Sequence, residues 1–307
     1  MTRIPNLTTR LGPLTLKNPV LAASGTFGYG LELRAFCPPE RLGAVIVKGL
    51  SLEPCPGNPG PRTAEIPGGL MNSIGLENMG VEAFVTRALP PLLATGATVG
   101  VNILGRSPEE FGRLAARLAG TGAHFLEVNV SCPNVARGGA AFGSDPLAVE
   151  EIGRAVREMG GGLPFLIKLP PLVSDITAVA RAAEAAGAAA VALINTLPGL
   201  VVDLARRRPA LGGGLGGGLS GPAVKPLALR QVWLCAQALK IPVVGLGGIT
   251  TAEDALEFIL AGAAAVEVGT ATLIDPRAPL TILEGLAAWL IKEGLPDLGQ
   301  LRGALKT

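Results

Sequence analysis

A short apolar run that ends in polar side chains is the part of this sequence best suited to chemistry. It reads His124-Phe-Leu-Glu-Val-Asn-Val-Ser-Cys-Pro-Asn134, and its apolar part predicts a buried strand that stops near Asn129. Cys132 offers a thiolate that accepts a proton, and Pro133 favours a turn that takes the thiol out of the strand. Two amides, of Asn129 and Asn134, can donate and accept hydrogen bonds nearby. We therefore predict that Cys132 is a general base mounted at a strand end.

The other three cysteines, Cys37, Cys55 and Cys235, are interpreted as small apolar residues, the usual state of a lone cysteine. Four cysteines without short paired spacings predict neither a metal site nor an iron–sulfur cluster in this chain. A disulfide framework is not expected at this length, so we predict a reducing, cytoplasmic location.

Composition excludes several classes of function. A net charge of +2 and a pI near 8.4 give no strong field, so nucleic acid is not a favoured partner. The apolar share is 49%, but no run reaches the roughly 18 uncharged apolar residues that a membrane span needs. The first residues lack the apolar segment of a signal peptide. We expect no membrane span and no export.

Eight short apolar runs, most of them followed by an Ala/Leu-rich helical pattern, recur along the chain. Continuous apolarity is typical of parallel strands covered on both faces, and eight strand–helix units predict a closed (β/α)₈ TIM barrel, α/β in class. An open, doubly wound sheet is the alternative. No disordered linker divides the chain, so residues 1–307 are predicted to form a single domain. The runs are Val20–Ala23, Ala44–Val47, Val99–Ile103, Phe125–Val128, Phe165–Ile167, Ala190–Ile194, Val243–Gly245 and Ala265–Val268.

Two long connections are predicted to form lids or walls of a site. Residues 49–80 follow the second strand and residues 196–240 follow the sixth. Long loops on a compact scaffold usually have such a role, and here both lie at the carboxyl-terminal rim.

Polar or glycine residues follow every predicted strand, and a barrel brings all of these positions to one rim. Amides at Asn72 and Asn134 lie in adjacent loops. Any one of these residues can simply cap local backbone, but together they predict a site for a polar small molecule. The strand-end residues are Ser24, Gly25, Lys48, Gly49, Asn102, Asn129, Lys168, Asn195, Thr196, Gly247, Gly248, Gly269 and Thr270.

The last two strand ends predict a phosphate cup. The run from Pro242 to Asp254 passes from a strand through Gly247 and Gly248 to a helix start, with Thr250 or Thr251 as its cap. Gly269 and Thr270 supply a second wall, and barrels commonly bind phosphate at these loops. By contrast, residues 212–221 match a dinucleotide glycine pattern only because they are mostly glycine. No strand precedes them, so we interpret this run as a flexible hinge of the lid.

Several motifs together resemble the class 1 dihydroorotate dehydrogenases over most of the chain. The Ser-Gly-Thr-Phe-Gly opening and the Gly-Gly and Phe-Gly pairs after Cys132 resemble class 1B rather than class 1A. Membrane-associated class 2 enzymes have an additional N-terminal segment and a serine base. The motifs are residues 18–30, Asn72-Ser-Ile-Gly-Leu-Glu-Asn78, Asn129-Val-Ser-Cys-Pro-Asn-Val135, Gly138-Gly139, Phe142-Gly143, Ile194-Asn-Thr196, residues 217–222 and residues 262–270.

This resemblance implies bound FMN. The implied phosphate site is formed by Gly221, Gly247, Gly248, Gly269 and Thr270. The ring is expected near the barrel mouth, where Lys168 would stabilise negative charge on the reduced flavin. The residues implied around the ring are Ser24, Lys48, Gly49, Asn102, Asn129, Lys168 and Ile194.

The resemblance also implies the substrate, dihydroorotate, and the product, orotate. Side-chain amides can form hydrogen bonds with the ureide edges of this ring, and Lys48 can pair with its carboxylate. Cys132 would take a proton from C5 while hydride leaves C6. The implied substrate residues are Lys48, Asn72, Ser73, Ile74, Gly75, Leu76, Asn129, Asn134, Asn195 and Thr196.

Class 1B membership implies a homodimer and a partner subunit that carries FAD and a [2Fe–2S] cluster and passes electrons to NAD⁺. Three alternatives stay open: a fumarate-using enzyme of class 1A type, another FMN-dependent pyrimidine-reducing barrel, and a non-catalytic phosphate-binding barrel. The sequence departs from the family pattern at Gly49, where a hydroxyl residue is frequent, at Cys55 and around Leu215.

Overall fold

The computed structural model describes residues 5–130 and 140–306 of the chain. Within these ranges eight parallel strands close into a barrel, as the apolar runs predict. Each strand pairs with the next in chain order, and the eighth pairs with the first, which rules out the open sheet. The strands are β1 (Val20–Ala22), β2 (Ala44–Leu50), β3 (Val99–Ile103), β4 (Phe125–Asn129), β5 (Phe165–Lys168), β6 (Ala190–Leu193), β7 (Val243–Leu246) and β8 (Ala265–Val268).

Helices connect the strands on the outside of the barrel, where strands and helices share a large buried apolar core. Several helices begin at a capping side chain; Thr251, one of the two predicted caps, forms a capping box with Asp254. Ser107, Asp145 and Asp175 cap three others. The helical segments are Val81–Ala83, Phe84–Ala88, Leu89–Leu93, Pro108–Leu118, Ala140–Gly143, Pro146–Met159, Ile176–Ala185, Lys225–Ala238, Ala252–Leu260, Thr270–Ile274 and Ala278–Glu293.

A second apolar cluster fills the lower half of the barrel interior. Alternate residues of each strand point inward, and they include Leu21, Phe125 and Leu166. An N-terminal hairpin of strands Thr9–Leu11 and Leu14–Leu16 adds two leucines to this cluster. The hydroxyl of Thr9 donates to the carbonyl of Ala264, which directly precedes β8, so the hairpin covers the amino-terminal end of the barrel. The interior is therefore closed below and can hold a site only at the opposite rim.

The two long connections pair with each other to form a four-stranded antiparallel sheet, here called the rim sheet. Its strands, in spatial order, are Leu197–Gly199, Gly217–Ser220, Gly69–Asn72 and Thr63–Ile66. The second half of the glycine-rich run is thus a paired strand rather than the flexible hinge that we expected. Glycine fits there because a Cβ on Gly218 would lie 2.2 Å from the hydroxyl oxygen of Thr196.

No helix within the described ranges is long and apolar enough to cross a membrane.

Candidate active site

A cavity of about 260 Å³ lies at the carboxyl-terminal rim, lined from one side by the barrel and from the other by the rim sheet. Residues at the ends of all eight strands reach it. The topology explains this convergence, because parallel strands of one barrel all end at the same rim. The cavity is therefore the place where side chains far apart in sequence meet.

Most of the residues predicted to hold a cofactor or a substrate line this cavity. Ser73 does not: it is fully buried, and its hydroxyl accepts a hydrogen bond from the Asn58 amide at 3.0 Å. Ser73 therefore holds the loop in place from behind. Cys132 and Asn134 lie outside the described residues. The residues that line the cavity are Ser24, Lys48, Gly49, Asn72, Ile74, Gly75, Leu76, Asn102, Asn129, Lys168, Ile194, Asn195, Thr196, Gly221, Gly247, Gly248, Gly269 and Thr270.

Glycines bring three backbone segments close together at one end of the cavity. Gly221, Gly247 and Gly248 all have positive φ angles, of 101°, 122° and 75°. A Cβ on Gly248 would lie 2.9 Å from the Gly221 carbonyl oxygen and 2.7 Å from the Lys225 Cβ. A side chain at Gly248 would fill the cup as well as strain the backbone. The geometry suits a ligand group that lies directly against main-chain atoms, as a phosphate does.

At the start of the helix beside this cup, the backbone amides already bind a carboxylate of the chain itself, that of Asp254. One carboxylate oxygen of Asp254 accepts hydrogen bonds from the backbone amides of Thr250 and Thr251, at 2.8 and 3.0 Å. Its other oxygen accepts from Lys225 Nζ at 2.6 Å. Although partial burial opposes ionisation, the bond from Lys225 and those from Thr250 and Thr251 lower the pKa of Asp254 to about 2. These two amides are thus already occupied, and an external anion must rely on the glycine segments.

The floor of the cavity holds a buried ionic cluster that the sequence analysis missed. Lys168 Nζ lies 3.3 Å from Glu127 Oε1 and 3.0 Å from Glu267 Oε2, and both glutamate side chains are fully buried. The Asn102 amide donates to Glu127 Oε1 at 2.6 Å. Glu127 and Glu267 each stand inside an apolar run, at inward-facing positions of β4 and β8. A charged residue inside an apolar strand was the available signal, because burial of a charge requires a partner.

Burial and charge oppose each other in this cluster. Burial alone would lower the pKa of Lys168, but the charges of Glu127 and Glu267 outweigh it and raise that pKa above its ordinary value. For Glu267, burial followed by the charge of Glu127 raises the pKa well above the ordinary value, against the opposing effect of Lys168. Lys168 therefore remains a cation at neutral pH, beneath whatever ligand the cavity holds.

A second lysine, Lys48, lines the opposite part of the cavity wall near the loop after β2. Burial lowers its pKa, the charge of Glu77 partly restores it, and Arg62 lowers it again. Glu77 itself pairs with Arg62. Within the described part of the chain Lys48 forms no ion pair, so its ammonium group is available to an anionic ligand such as a carboxylate.

Four asparagine side chains, of Asn72, Asn102, Asn129 and Asn195, line the same cavity as the two lysines. The Asn195 amide lies 3.4 Å from Asn129 Oδ1, and the Asn72 amide donates to the Gly218 carbonyl at 3.1 Å. Asn102 Oδ1 is buried without a hydrogen-bond partner. Leaving such a buried oxygen unpaired costs about 1–3 kcal/mol.

The departure at Gly49 is explained by crowding around this oxygen. A Cβ at Gly49 would lie 2.6 Å from Asn102 Oδ1 and 2.9 Å from the Leu104 Cδ1. With glycine at this position the Asn102 amide keeps its orientation toward Glu127. A hydroxyl residue here would require Asn102 to rotate.

Comparison with known proteins agrees with the motifs. A family model described as dihydroorotate dehydrogenase matches residues 6–290. A protein of Geotalea uraniireducens named dihydroorotate dehydrogenase B (NAD(+)), catalytic subunit, is 50% identical over 309 residues, which is 99% of each chain. Proteins of the same name from Maridesulfovibrio salexigens and Desulforamulus reducens are 52% and 49% identical, over 95% and 97% of this chain and 96% and 98% of theirs. The chain therefore belongs to the dihydroorotate dehydrogenase family, within its class 1B catalytic subunits.

Proposed function

We propose that this chain oxidises dihydroorotate to orotate in pyrimidine biosynthesis, as an FMN-dependent dehydrogenase. One observation supports this above the others: a single cavity combines a glycine cup, a buried cation at its floor and a second cation flanked by amides. These are the three kinds of group that a flavin phosphate, a reducible ring and an anionic ureide substrate require. Family membership supplies the identity of the reaction.

The residues present fit FMN. Gly221, Gly247 and Gly248 line a cup in which each position requires glycine, because a Cβ would lie 2.7 Å from Gly69 Cα, 2.9 Å from Ala228 Cβ and 2.7 Å from Lys225 Cβ, respectively; Gly269 and Thr270 also line the cavity. The remaining ring contacts are proposed for Ser24, Lys48, Gly49, Asn102, Asn129, Lys168 and Ile194, all of which line the cavity. When bound, FMN supplies the acceptor for a hydride. Lys168 would favour negative charge near it, because its ammonium group is held in a dry environment.

We propose that Lys48 meets the substrate carboxylate and that Asn72, Asn129, Asn195 and Thr196 hydrogen-bond the ureide edges. The backbone of Ile74 to Leu76 lies along the same wall, with Ser73 supporting it from behind. Asn134 is proposed to join this set, and Cys132 is proposed to take the proton from C5. Both follow the end of β4, which carries Asn129 into the cavity. By these hydrogen bonds the asparagine amides would orient the C5–H bond of the substrate toward Cys132.

The purified chain is expected to be yellow and to release FMN rather than FAD on denaturation. The reason is that the described cavity offers one phosphate cup, and the second half of the glycine run at 212–221 is a paired strand, Gly217–Ser220, rather than a dinucleotide-binding turn. Mass spectrometry of the released cofactor decides the matter. Release of FAD alone would contradict the proposed site.

Electrons from the reaction are proposed to leave through a separate subunit. The relatives are named as NAD(+)-linked catalytic subunits, which implies a second, electron-transferring subunit carrying FAD and a [2Fe–2S] cluster. We further propose that the chain forms a homodimer in the cytoplasm.

Without its partner, the chain is expected to reduce artificial acceptors with dihydroorotate but to reduce NAD⁺ only slowly. Its four cysteines offer no short paired spacing for an iron–sulfur cluster. The measurement compares NAD⁺, fumarate and a dye as acceptors for the chain alone and for the chain co-purified with its partner. Fast NAD⁺ reduction by the chain alone would contradict the proposal, and efficient fumarate use would place it with class 1A behaviour.

A further inference from the structure

The ionic cluster on the cavity floor contains more acid than base. Glu127 on β4, Lys168 on β5 and Glu267 on β8 meet inside the barrel, where β4 and β8 stand on opposite sides. The lysine bridges them, although Glu127 and Glu267 lie 41 and 99 residues from it in sequence. With both carboxyls ionised, a dry barrel interior would hold one uncompensated negative charge, which is strongly unfavourable.

The unused oxygens of the two glutamates show where a compensating proton fits. One oxygen of each glutamate accepts a hydrogen bond from Lys168, while Glu127 Oε2 and Glu267 Oε1 are buried with no hydrogen-bond donor among the described residues. Both carboxyls contact the same ammonium nitrogen, at 3.3 and 3.0 Å, and after burial the charge of Glu127 is the next cause that raises the pKa of Glu267. A proton on Glu267 would turn one of its oxygens into a hydrogen-bond donor and would cancel the excess negative charge of the cluster.

We infer that this pair of glutamates holds a single proton at neutral pH, carried by Glu267, so that the cluster with Lys168 is electrically neutral and positions the lysine as a cation beneath the ligand cavity. The two glutamates are thus positioning residues that act through Lys168. A neutral floor matters because the proposed ligands are anionic, and a net negative floor would repel them. The inference deepens the proposed function, since that proposal places the flavin ring above Lys168.

Among the residues that the structure describes, the surroundings of the cluster supply no other compensating charge. Asn102 on β3 is uncharged and donates to Glu127. The strands β1, β2, β6 and β7 present Leu21, Ile46, Ala192 and Leu246 to the barrel interior. Within residues 5–130 and 140–306, Lys48, near the end of β2, is the other cation on the cavity wall, and the charges that act on it are those of Glu77 and Arg62. Burial and the charge of Glu127 together favour the protonated form of Glu267, which agrees with a proton held on that carboxyl.

Infrared spectroscopy of the protein as purified tests the inference directly. A protonated carboxyl group has a carbonyl band that a carboxylate lacks, and ¹³C-labelling of the protein shifts this band away from those of unlabelled FMN. We expect one such band at pH 7.5 in the wild type. It should be lost in Glu267→Gln and also in Glu127→Gln, because the single remaining carboxyl ionises against Lys168 in either variant.

Each alternative gives a different pattern. Two ionised carboxyls would give no band in the wild type, and this would overturn the inference. A Glu267 that is neutral merely because it is buried would keep its band in Glu127→Gln, and this would overturn the role given to the second carboxyl and to the charge balance of the cluster. Should Glu127→Gln fail to fold, Lys168→Met serves in its place: removal of the cation should protonate both carboxyls and about double the band, and an unchanged band would overturn the inference.

Thermal unfolding across pH gives an independent measurement. A carboxyl that keeps its proton when folded and loses it when unfolded makes stability fall as pH rises above the unfolded value of about 4.3. The melting temperature of Glu267→Gln, relative to wild type, should therefore rise between pH 5 and pH 8. A constant difference would contradict the inference. Neither measurement requires turnover, so a failure of the proposed reaction would appear in the cofactor and acceptor assays instead.

Discussion

Replacement of Cys132 by serine is expected to slow the anaerobic loss of flavin absorbance on mixing with dihydroorotate by about 10²–10⁴-fold, the usual contribution of a positioned general base. A serine hydroxyl keeps the approximate shape of the thiol, but it is too weakly acidic to exist as a ready base near neutral pH. Cys132 lies outside the described residues, so this prediction depends on its place in the sequence and on the family motif. Stopped-flow absorbance under anaerobic conditions measures the rate.

The same substitution elsewhere in the chain provides the control. Cys55 is half-buried in the loop after β2, and its thiol donates to the Gly75 carbonyl at 3.4 Å, a contact that a serine hydroxyl can make. Cys55→Ser should therefore react at nearly the wild-type rate, and both variants should retain FMN. A near wild-type rate for Cys132→Ser would show that this cysteine is structural and that another group takes the proton.

The barrel could be predicted from the sequence because each of its strands has a recognisable local sequence pattern. Eight continuous apolar runs, each closed by a polar or glycine residue, match the eight strands within a few residues at each end. Once the fold is fixed, topology alone brings Lys48, Asn129 and Lys168 to one rim. The residues of the cavity wall thus followed from local patterns together with one global rule.

The rim sheet could not be predicted in the same way. Its four strands are three or four residues long, and one of them is Gly217-Gly-Leu-Ser220, which has neither β-branched residues nor apolar alternation. Its pairing joins segments about 150 residues apart, as in the hydrogen bond from Ser220 to the Leu70 carbonyl. Such strands are stabilised by pairing with segments that are distant in sequence, and no local pattern distinguishes them from a flexible loop.

The buried cluster was missed for a different reason. Glu127 and Glu267 were included in the predicted strands but were not considered as site residues, because a glutamate in an apolar run has no visible partner until the barrel closes. Lys168 was given a role toward the flavin without the two carboxylates that hold it. The sequence contained all three charges, but only the three-dimensional structure shows that they form one group.

Replacement of Lys168 by methionine is expected to lower the free energy of unfolding by about 3–5 kcal/mol at neutral pH, the usual cost of removing one partner from a buried ion pair. Methionine fills a similar volume but leaves Glu127 and Glu267 without their cation. The folded protein must then bind one more proton than the wild type. Above the unfolded carboxyl pKa of about 4.3, each extra proton costs about 1.4 kcal/mol per pH unit.

The sign and size of the pH dependence follow from that proton. The folded variant holds the additional proton while the unfolded chain releases it. The free energy of unfolding should therefore be lower than that of the wild type by about 1 kcal/mol at pH 5 and about 4 kcal/mol at pH 7. Urea unfolding followed by circular dichroism at both values measures the difference. Lys292→Met is the matched control, because Lys292 is exposed and should show a change below about 0.5 kcal/mol at either pH.

A second substitution separates the charge effect from any loss of bound FMN. In Lys168→Met with Glu127→Gln, one neutral carboxyl remains and the folded protein binds the same number of protons as the wild type. The pH dependence relative to wild type should therefore disappear, although a lost contact between Lys168 and the cofactor would not be restored. If the double variant keeps the steep pH dependence of Lys168→Met, that dependence comes from another group, and Lys168 does not serve as the cation that compensates the floor of the cavity.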